Sequence, residues 1–259
     1  MNNPQVVILC GGQGMRLHEE TEFKPKPMVA IGSHPILWHI MSHYRTYDVR
    51  DFILCLGYKG EVIRDYFTNF LYRNSDLRVD LADGKVAILD SVPLDWRVTL
   101  AETGIAAMTG ARIRRAARYV TGERFFATYG DGVSDIDLDA LLSFHLKTGK
   151  KATVTAVRPS SRFGELSVEG NLATSFAEKP QTNAGWINGG FFVFEKCVVD
   201  EFADDESLSL EAEVLETLAR QSELSVFQHG GFWQCMDTYR EMQLLNGLWA
   251  SGTAPWKTW

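Results

Sequence analysis

The sequence predicts an α/β fold, a mainly parallel sheet flanked by helices. Three observations predict it. Short apolar runs alternate with segments of helical period through the first 157 residues, the pattern of strands joined by crossover helices. Runs such as VVILC and FILCL do not alternate apolar with polar, which suits strands buried on both faces. The first run stops at Gly11-Gly12, and a third glycine follows at Gly14.

Taken in order, residues 5–10 read as a buried strand ended by glycine. Residues 36–47, ILWHIMSHYRTY, collect aromatic and apolar side chains on one helical face. Residues 51–58 read as a second strand and 60–71 as a second helix. RFFATYGDG, 124–132, is a strand that breaks at glycine. Residues 137–149 form a helix stopped by Gly149, and 151–157 a further strand. Residues 78–100 lack helical period and suggest short antiparallel strands. Residues 164–178 and 188–194 suggest strands of a smaller β-rich addition, and 239–249 a closing helix. No repeat, linker or low-complexity segment interrupts the chain. Residues 1–259 therefore read as one domain, with a core mainly in 1–160 and a second part in 161–259.

The chain has 259 residues, 45% of them hydrophobic, enough for a large core. Its net charge of −7 argues against nucleic acid as a bulk partner. Arg112, Arg114, Arg115 and Arg118 cluster at helical spacing, and a solvated helix face accounts for them. The four cysteines, Cys10, Cys55, Cys197 and Cys235, lie too far apart to suggest a zinc site or a disulfide framework. Reduced thiols in a cytoplasmic protein are the simplest reading. No apolar run approaches a signal peptide or a membrane span. Three tryptophans fall in the last eleven residues; they dock on the chain's own core or form an assembly surface.

The chemistry is concentrated in a few motifs. Glycines after a first strand let backbone N–H groups approach an anion, at the sheet edge where α/β proteins bind nucleotides. GGQGMR matches neither the dinucleotide fingerprint nor the Walker loop, and a purely structural turn is an alternative. Arg16, Lys24 and Lys26 shift the balance toward a phosphate, because arginine clamps phosphate bidentately and lysine supplies a point charge. In KPKP, each proline holds the preceding lysine in extended backbone. Asp131, in YGDG after an apolar strand, suits a magnesium ion bridging phosphates, with a turn aspartate as the plain alternative. Asp237, in FWQCMDT, could complete such a site. EKP at 178–180 either ends a strand or binds a polar substrate. Asn188 offers both a donor and an acceptor, as sugar hydroxyls require. His39 and His43 lie one turn apart on a helix, where packing is favoured over a metal pair.

Together these motifs resemble the sugar-phosphate nucleotidyltransferase family: the glycine loop with arginine, KPKPM, YGDG, EKP and NGG. Within it, KPKPMVAIGSHPILWHIM, GYKGEVIRDYF, MTGARIRR, FATYGDGVSDID, INGGFFVF, GFWQCMDT and GLWASGTAPWKTW look like the glucose-1-phosphate cytidylyltransferases. The resemblance implies a Rossmann-like core whose β-rich addition takes the sugar phosphate. It implies that Leu9, Cys10, Gly11, Gly12, Gln13, Gly14, Met15 and Arg16 wrap the nucleotide, mostly through backbone. Arg16 and Lys26 would be the catalytic cations on the triphosphate. Arg112 and Gly130 would also contact the nucleotide, with cytosine near Ala107. Asp131 and Asp237 would hold Mg²⁺, and Glu178, Lys179, Asn188 and Gly189 the sugar phosphate. The implied reaction joins CTP to a sugar 1-phosphate, giving CDP-glucose or a related CDP-sugar and pyrophosphate, in a homo-oligomer.

Three departures from that pattern stand out. Met15 replaces a threonine, Ala106 and Ala107 replace polar residues, and Leu210-Glu211-Ala212-Glu213-Val214-Leu215 replaces W-E-x-E-P-L. Two alternatives therefore stay open in the sequence. One is the same chemistry on another sugar phosphate or pyrimidine nucleotide. The other is a non-catalytic nucleotide-sugar-binding regulator that kept the fold.

Overall fold

The computed structural model describes residues 4–91, 94–159, 165–169, 172–177 and 185–259. Eight strands form the central sheet: β1 Val6–Leu9, β2 Asp51–Leu56, β3 Arg97–Glu102, β4 Arg124–Tyr129, β5 Ala152–Val157, β6 Ile187–Asn188, β7 Phe192–Glu195 and β8 Leu224–His229. The order across the sheet is β8-β5-β7-β4-β1-β2-β3, with β6 beside the far end of β5 on the β7 side. β4, β1, β2 and β3 pair in parallel. β7 runs antiparallel to both β4 and β5, and β8 parallel to β5. The five helices that matter below are α1 Ile36–Thr46, α2 Gly60–Thr68, α3 Thr109–Ala117, α4 Leu138–Thr148 and α5 Tyr239–Ala250.

The uniformly apolar strands are explained by burial on both faces. In β1, Val6 and Ile8 enter one core and Val7 and Leu9 the other. Alternation repeats in β2, where Phe52 and Leu54 oppose Ile53 and Cys55. One core packs under α1, the other under α3. Parallel pairing aligns the carboxyl ends of β1, β2, β3 and β4, so the loops leaving them gather along one edge.

Two sequence expectations need correction. Residues 78–100 are only partly an antiparallel unit. Ser75–Val79 and Val86–Ser91 form a hairpin, but β3 joins the central sheet in parallel. Its helical crossover from β2 is hidden by the intervening hairpin. Residues 188–194 are not in an added region either: β6 and β7 belong to the central sheet. Of 164–178, Glu165–Glu169 and Leu172–Ala177 form a separate two-stranded sheet.

The tryptophan-rich end folds back on α1. Trp256 is fully buried, and its Nε1 donates to His39 Nδ1 at 3.4 Å. That bond fixes the proton on His39 Nε2, which donates to the Ile31 carbonyl at 2.9 Å. His43 Nε2 donates to the Ile136 carbonyl at 2.9 Å, and its Nδ1 accepts from the Thr258 hydroxyl at 3.1 Å. Burial lowers both histidines to about 4. Both rings are thus neutral packing groups that bind the terminus to α1.

Candidate active site

The edge loops enclose a cavity of about 280 Å³. Leu9, Cys10, Gly11, Gly12 and Gly14 line one side, with Lys26, Ala107, Arg112, Gly130 and Asp131 around the rest. Gln13 is exposed and outside the lining. Met15 opens a short 3-10 turn, Met15–Leu17. Gly14 has φ +63°, and a Cβ there would meet Thr21 at 3.0 Å and Lys26 at 3.3 Å. A side chain at this point would therefore press on the lysine that the loop must admit.

Lys26 is a buried cation of the site, only 7% exposed. The prolines do not hold it extended, as the sequence suggests. Lys26–Met28 form one 3-10 turn after extended Pro25, which aims Lys26 inward, while Lys24 pairs with Glu20 at 2.8 Å. Lys26 Nζ donates to Asp131 Oδ2 at 3.0 Å and to Asp237 Oδ1. Burial works against its charge, but Asp131 and the bonds to both carboxylates outweigh it, so its pKa is raised. Arg16, largely exposed, reaches Asp237 Oδ2 at 2.7 Å.

Two devices bring the distant aspartates together. Gly132–Ser134 pairs antiparallel with Trp233–Cys235, and the Met236 N–H bonds to the Asp131 carbonyl at 2.8 Å. Asp237 precedes Thr238, the N-cap of α5, in a reciprocal capping box with Glu241. The Glu241 carboxylate also accepts from the Asp237 N–H at 2.7 Å, which clamps that backbone. The two carboxylates converge on the Lys26 ammonium, and as hard-oxygen donors beside the cavity they also suit a divalent cation.

Arg112 is 4% exposed, so α3 does not present it on a solvated face. Its guanidinium donates to the carbonyls of Leu56 (3.0 Å), Gly104 (2.8 Å), Gly11 (3.1 Å) and Ile105 (3.2 Å), and to Thr103 Oγ1 (2.8 Å). Cβ atoms at Gly11 and Gly57 would overlap it at 2.2 and 2.4 Å. Arg112 therefore faces the cavity and also ties together three loops. The Ile105 carbonyl accepts one of the Arg112 bonds and keeps a second lone pair. Burial raises the Cys10 thiol well above its ordinary value, so Cys10 contributes packing rather than a nucleophile.

Sequence reasoning missed a polar network that reaches this cavity, whose lining includes Thr109 and Tyr129. Glu211 Oε1 accepts from Tyr129 Oη at 2.6 Å. Glu211 Oε2 accepts from Thr109 Oγ1 at 2.7 Å and Ser209 Oγ at 3.1 Å. Tyr129 Oη in turn accepts from Asn188 Nδ2 at 3.0 Å, and Asn188 Oδ1 accepts from the Gly190 N–H at 2.9 Å. Burial, reinforced by Glu211, raises the Tyr129 phenol, so it stays a donor. Tyr129 was visible in YGDG; Thr109 and Ser209 carry no sequence signal. Gly189 is buried next to Asn188, and its carbonyl accepts from Trp233 Nε1 at 2.8 Å. Glu178 and Lys179 lie outside the described residues.

The Nucleotidyl transferase family model matches residues 5–234. The chain belongs to that family. It is 50% identical over 256 residues to the glucose-1-phosphate cytidylyltransferase of Salmonella typhi, covering 98% of this chain and 99% of that one. It is 44% identical over 255 residues to the probable glucose-1-phosphate cytidylyltransferase of Bacillus subtilis strain 168, covering 98% of this chain and all of that one. HddC from Yersinia pseudotuberculosis shares the fold of this nucleotidyl transferase with a TM-score of 0.68 at 22% identity, covering 95% of this chain and all of HddC.

Proposed function

We propose that this nucleotidyl transferase makes CDP-glucose and pyrophosphate from CTP and glucose 1-phosphate. The supporting observation is Lys26, in the lining of the glycine-loop cavity, held between Asp131 and Asp237, in a chain half identical to a glucose-1-phosphate cytidylyltransferase. An oxygen of the sugar phosphate attacks the α-phosphorus of CTP. A new P–O bond forms, the bond to the β-phosphate oxygen breaks, and pyrophosphate leaves. A phosphate monoester is already ionised at neutral pH, so neither a protein nucleophile nor a general base is required. The protein positions the two phosphates and neutralises charge that builds on them.

In this reading Lys26 and Arg16 face the triphosphate, and residues 9–16 wrap the nucleotide, mostly through backbone groups. Asp131 and Asp237 would hold Mg²⁺, whose role when bound is to offset phosphate charge. Glu178, Lys179, Asn188 and Gly189 serve the sugar phosphate. The nucleotide side comes mainly from residues 1–160 and the sugar side from 161–259 of one domain. Among the described residues no helix is long and apolar enough to cross a membrane. The four cysteines are free thiols, which suits a cytoplasmic enzyme.

The test is pyrophosphate release with CTP, UTP and dTTP against a panel of sugar 1-phosphates. Cytosine offers an amino group where uracil and thymine offer a carbonyl, so backbone acceptors at Ile105, Ala106 and Ala107 favour CTP. The expected preference over UTP is at least about tenfold in kcat/KM, equivalent to about 1.4 kcal/mol. Equal rates with UTP or dTTP would overturn the cytidylyl assignment.

A further inference from the structure

The Glu211 network fixes the direction of every hydrogen bond that it makes. A carboxylate only accepts, so the hydroxyls of Tyr129, Thr109 and Ser209 all donate to it. Each hydroxyl is then left with lone pairs and takes one donor. Thr109 accepts from the Leu210 N–H at 2.9 Å, Ser209 from the Ala212 N–H at 3.1 Å, and Tyr129 from the Asn188 side chain. With its NH₂ turned to Tyr129, Asn188 must turn its oxygen to the Gly190 N–H. The orientation of that amide is thus fixed from both ends, by the Gly190 N–H and, two bonds away, by a residue from a segment remote in sequence. Glu211 sits in a π-helical turn, Leu210–Leu215, a distortion often found at functional sites.

We infer that Glu211 is a positioning residue for the sugar-phosphate half of the reaction, acting through Tyr129 to hold the Asn188 amide in one orientation. This rests on the reading that Asn188 meets the sugar phosphate. Glu211→Gln keeps the shape and changes the direction. Two donors face Oε2 and one faces Oε1, so the glutamine carbonyl takes the side of Thr109 and Ser209. Its NH₂ then points at Tyr129. The phenol must accept there and donate to Asn188, whose amide flips and abandons Gly190.

The experiment is steady-state kinetics of Glu211→Gln, Tyr129→Phe and the double variant, varying CTP and glucose 1-phosphate separately. For Glu211→Gln the expected result is a KM for glucose 1-phosphate raised about tenfold, with KM for CTP within twofold, because the Thr109 side is preserved. Tyr129→Phe should show a split of the same kind, and the double variant should be no worse than Tyr129→Phe alone. Equal rises in both KM values, additive effects, or no change would overturn the relay. Hydrogen exchange at the Gly190 amide gives a readout independent of turnover. It should quicken in Glu211→Gln, and unchanged protection would overturn the proposal even if the wild type proved inactive with these substrates. Wild-type inactivity would overturn the substrate assignment instead.

Discussion

At the scale of single residues, the site depends on one buried ammonium held by two carboxylates. Lys26 is caged by Asp131 and Asp237 and is therefore pre-placed, so little reorganisation is needed when phosphate charge arrives. Removing one such charged contact costs about 2–4 kcal/mol of transition-state stabilisation, or roughly 30- to 1000-fold in rate. Lys26→Ala should lower kcat/KM by that factor; a change below about threefold would place Lys26 away from the reacting phosphates. Asp131→Asn should abolish most turnover while circular dichroism stays native, and a chelator should silence the wild type reversibly. Full activity of Asp131→Asn in magnesium would sink the metal assignment. Lys26 and Asp131 were legible as motif residues beside glycine and proline. Their mutual contact was not, because nothing local in the chain measures a distance across the sheet.

At the scale of elements, α1 shows how a motif of two histidines one turn apart is resolved by packing. His39 and His43 are buried by the returning C-terminal segment, and burial holds both near 4 rather than 6.5. The unfolded chain takes up these protons below about pH 6.5, and the folded one only near 4. Their stabilising contribution is therefore complete above pH 6.5 and declines as pH falls toward 4. Between pH 7 and pH 5 the expected loss is about 2 kcal/mol per histidine, as an order of magnitude. Urea titrations at the two pH values check it, and a midpoint that does not move would show that the rings are not neutral in the fold. The 210–215 segment is a second case. Where the resembling family has proline, Val214 supplies an N–H that bonds the Ser209 carbonyl at 3.4 Å. That bond helps form the π-helical turn that carries Glu211.

At the scale of the molecule, Trp256 is buried and Trp249 packs against the same core, while Trp259 stays exposed. A different surface carries the expectation of a homo-oligomer. The Ser75–Val79/Val86–Ser91 hairpin exposes Val79, Val86, Ile88 and Leu89, with Leu81 at its tip. Beside it an open groove of about 340 Å³ is lined by Phe67, Phe70, Leu71, Leu94 and Trp96. Exposed apolar patches often mark interaction sites, and self-association is expected to use this surface. Light scattering should show an assembly at micromolar concentration, and Ile88→Asp combined with Leu81→Asp should shift it toward monomer. A monomeric wild type would count against self-association.

The sequence by itself determined most strands of the nucleotide half, the glycine loop, the basic and acidic motifs, and the family. These are local properties: periodicity, turn chemistry and residue type act over a few neighbours. Only the tertiary structure decided that β3, β6 and β7 join the central sheet, because strand partners are chosen across the fold and not along the chain. It also decided that Arg112 ties three loops together as well as facing the cavity. The residues that accept its hydrogen bonds are backbone carbonyls, which leave no trace in side-chain identity. Glu211 lay in a departure from the family pattern and carried no assigned role. Its part emerges from the directions of hydrogen bonds among Tyr129, Thr109, Ser209 and Asn188, four residues that only the folded chain brings within reach of one another.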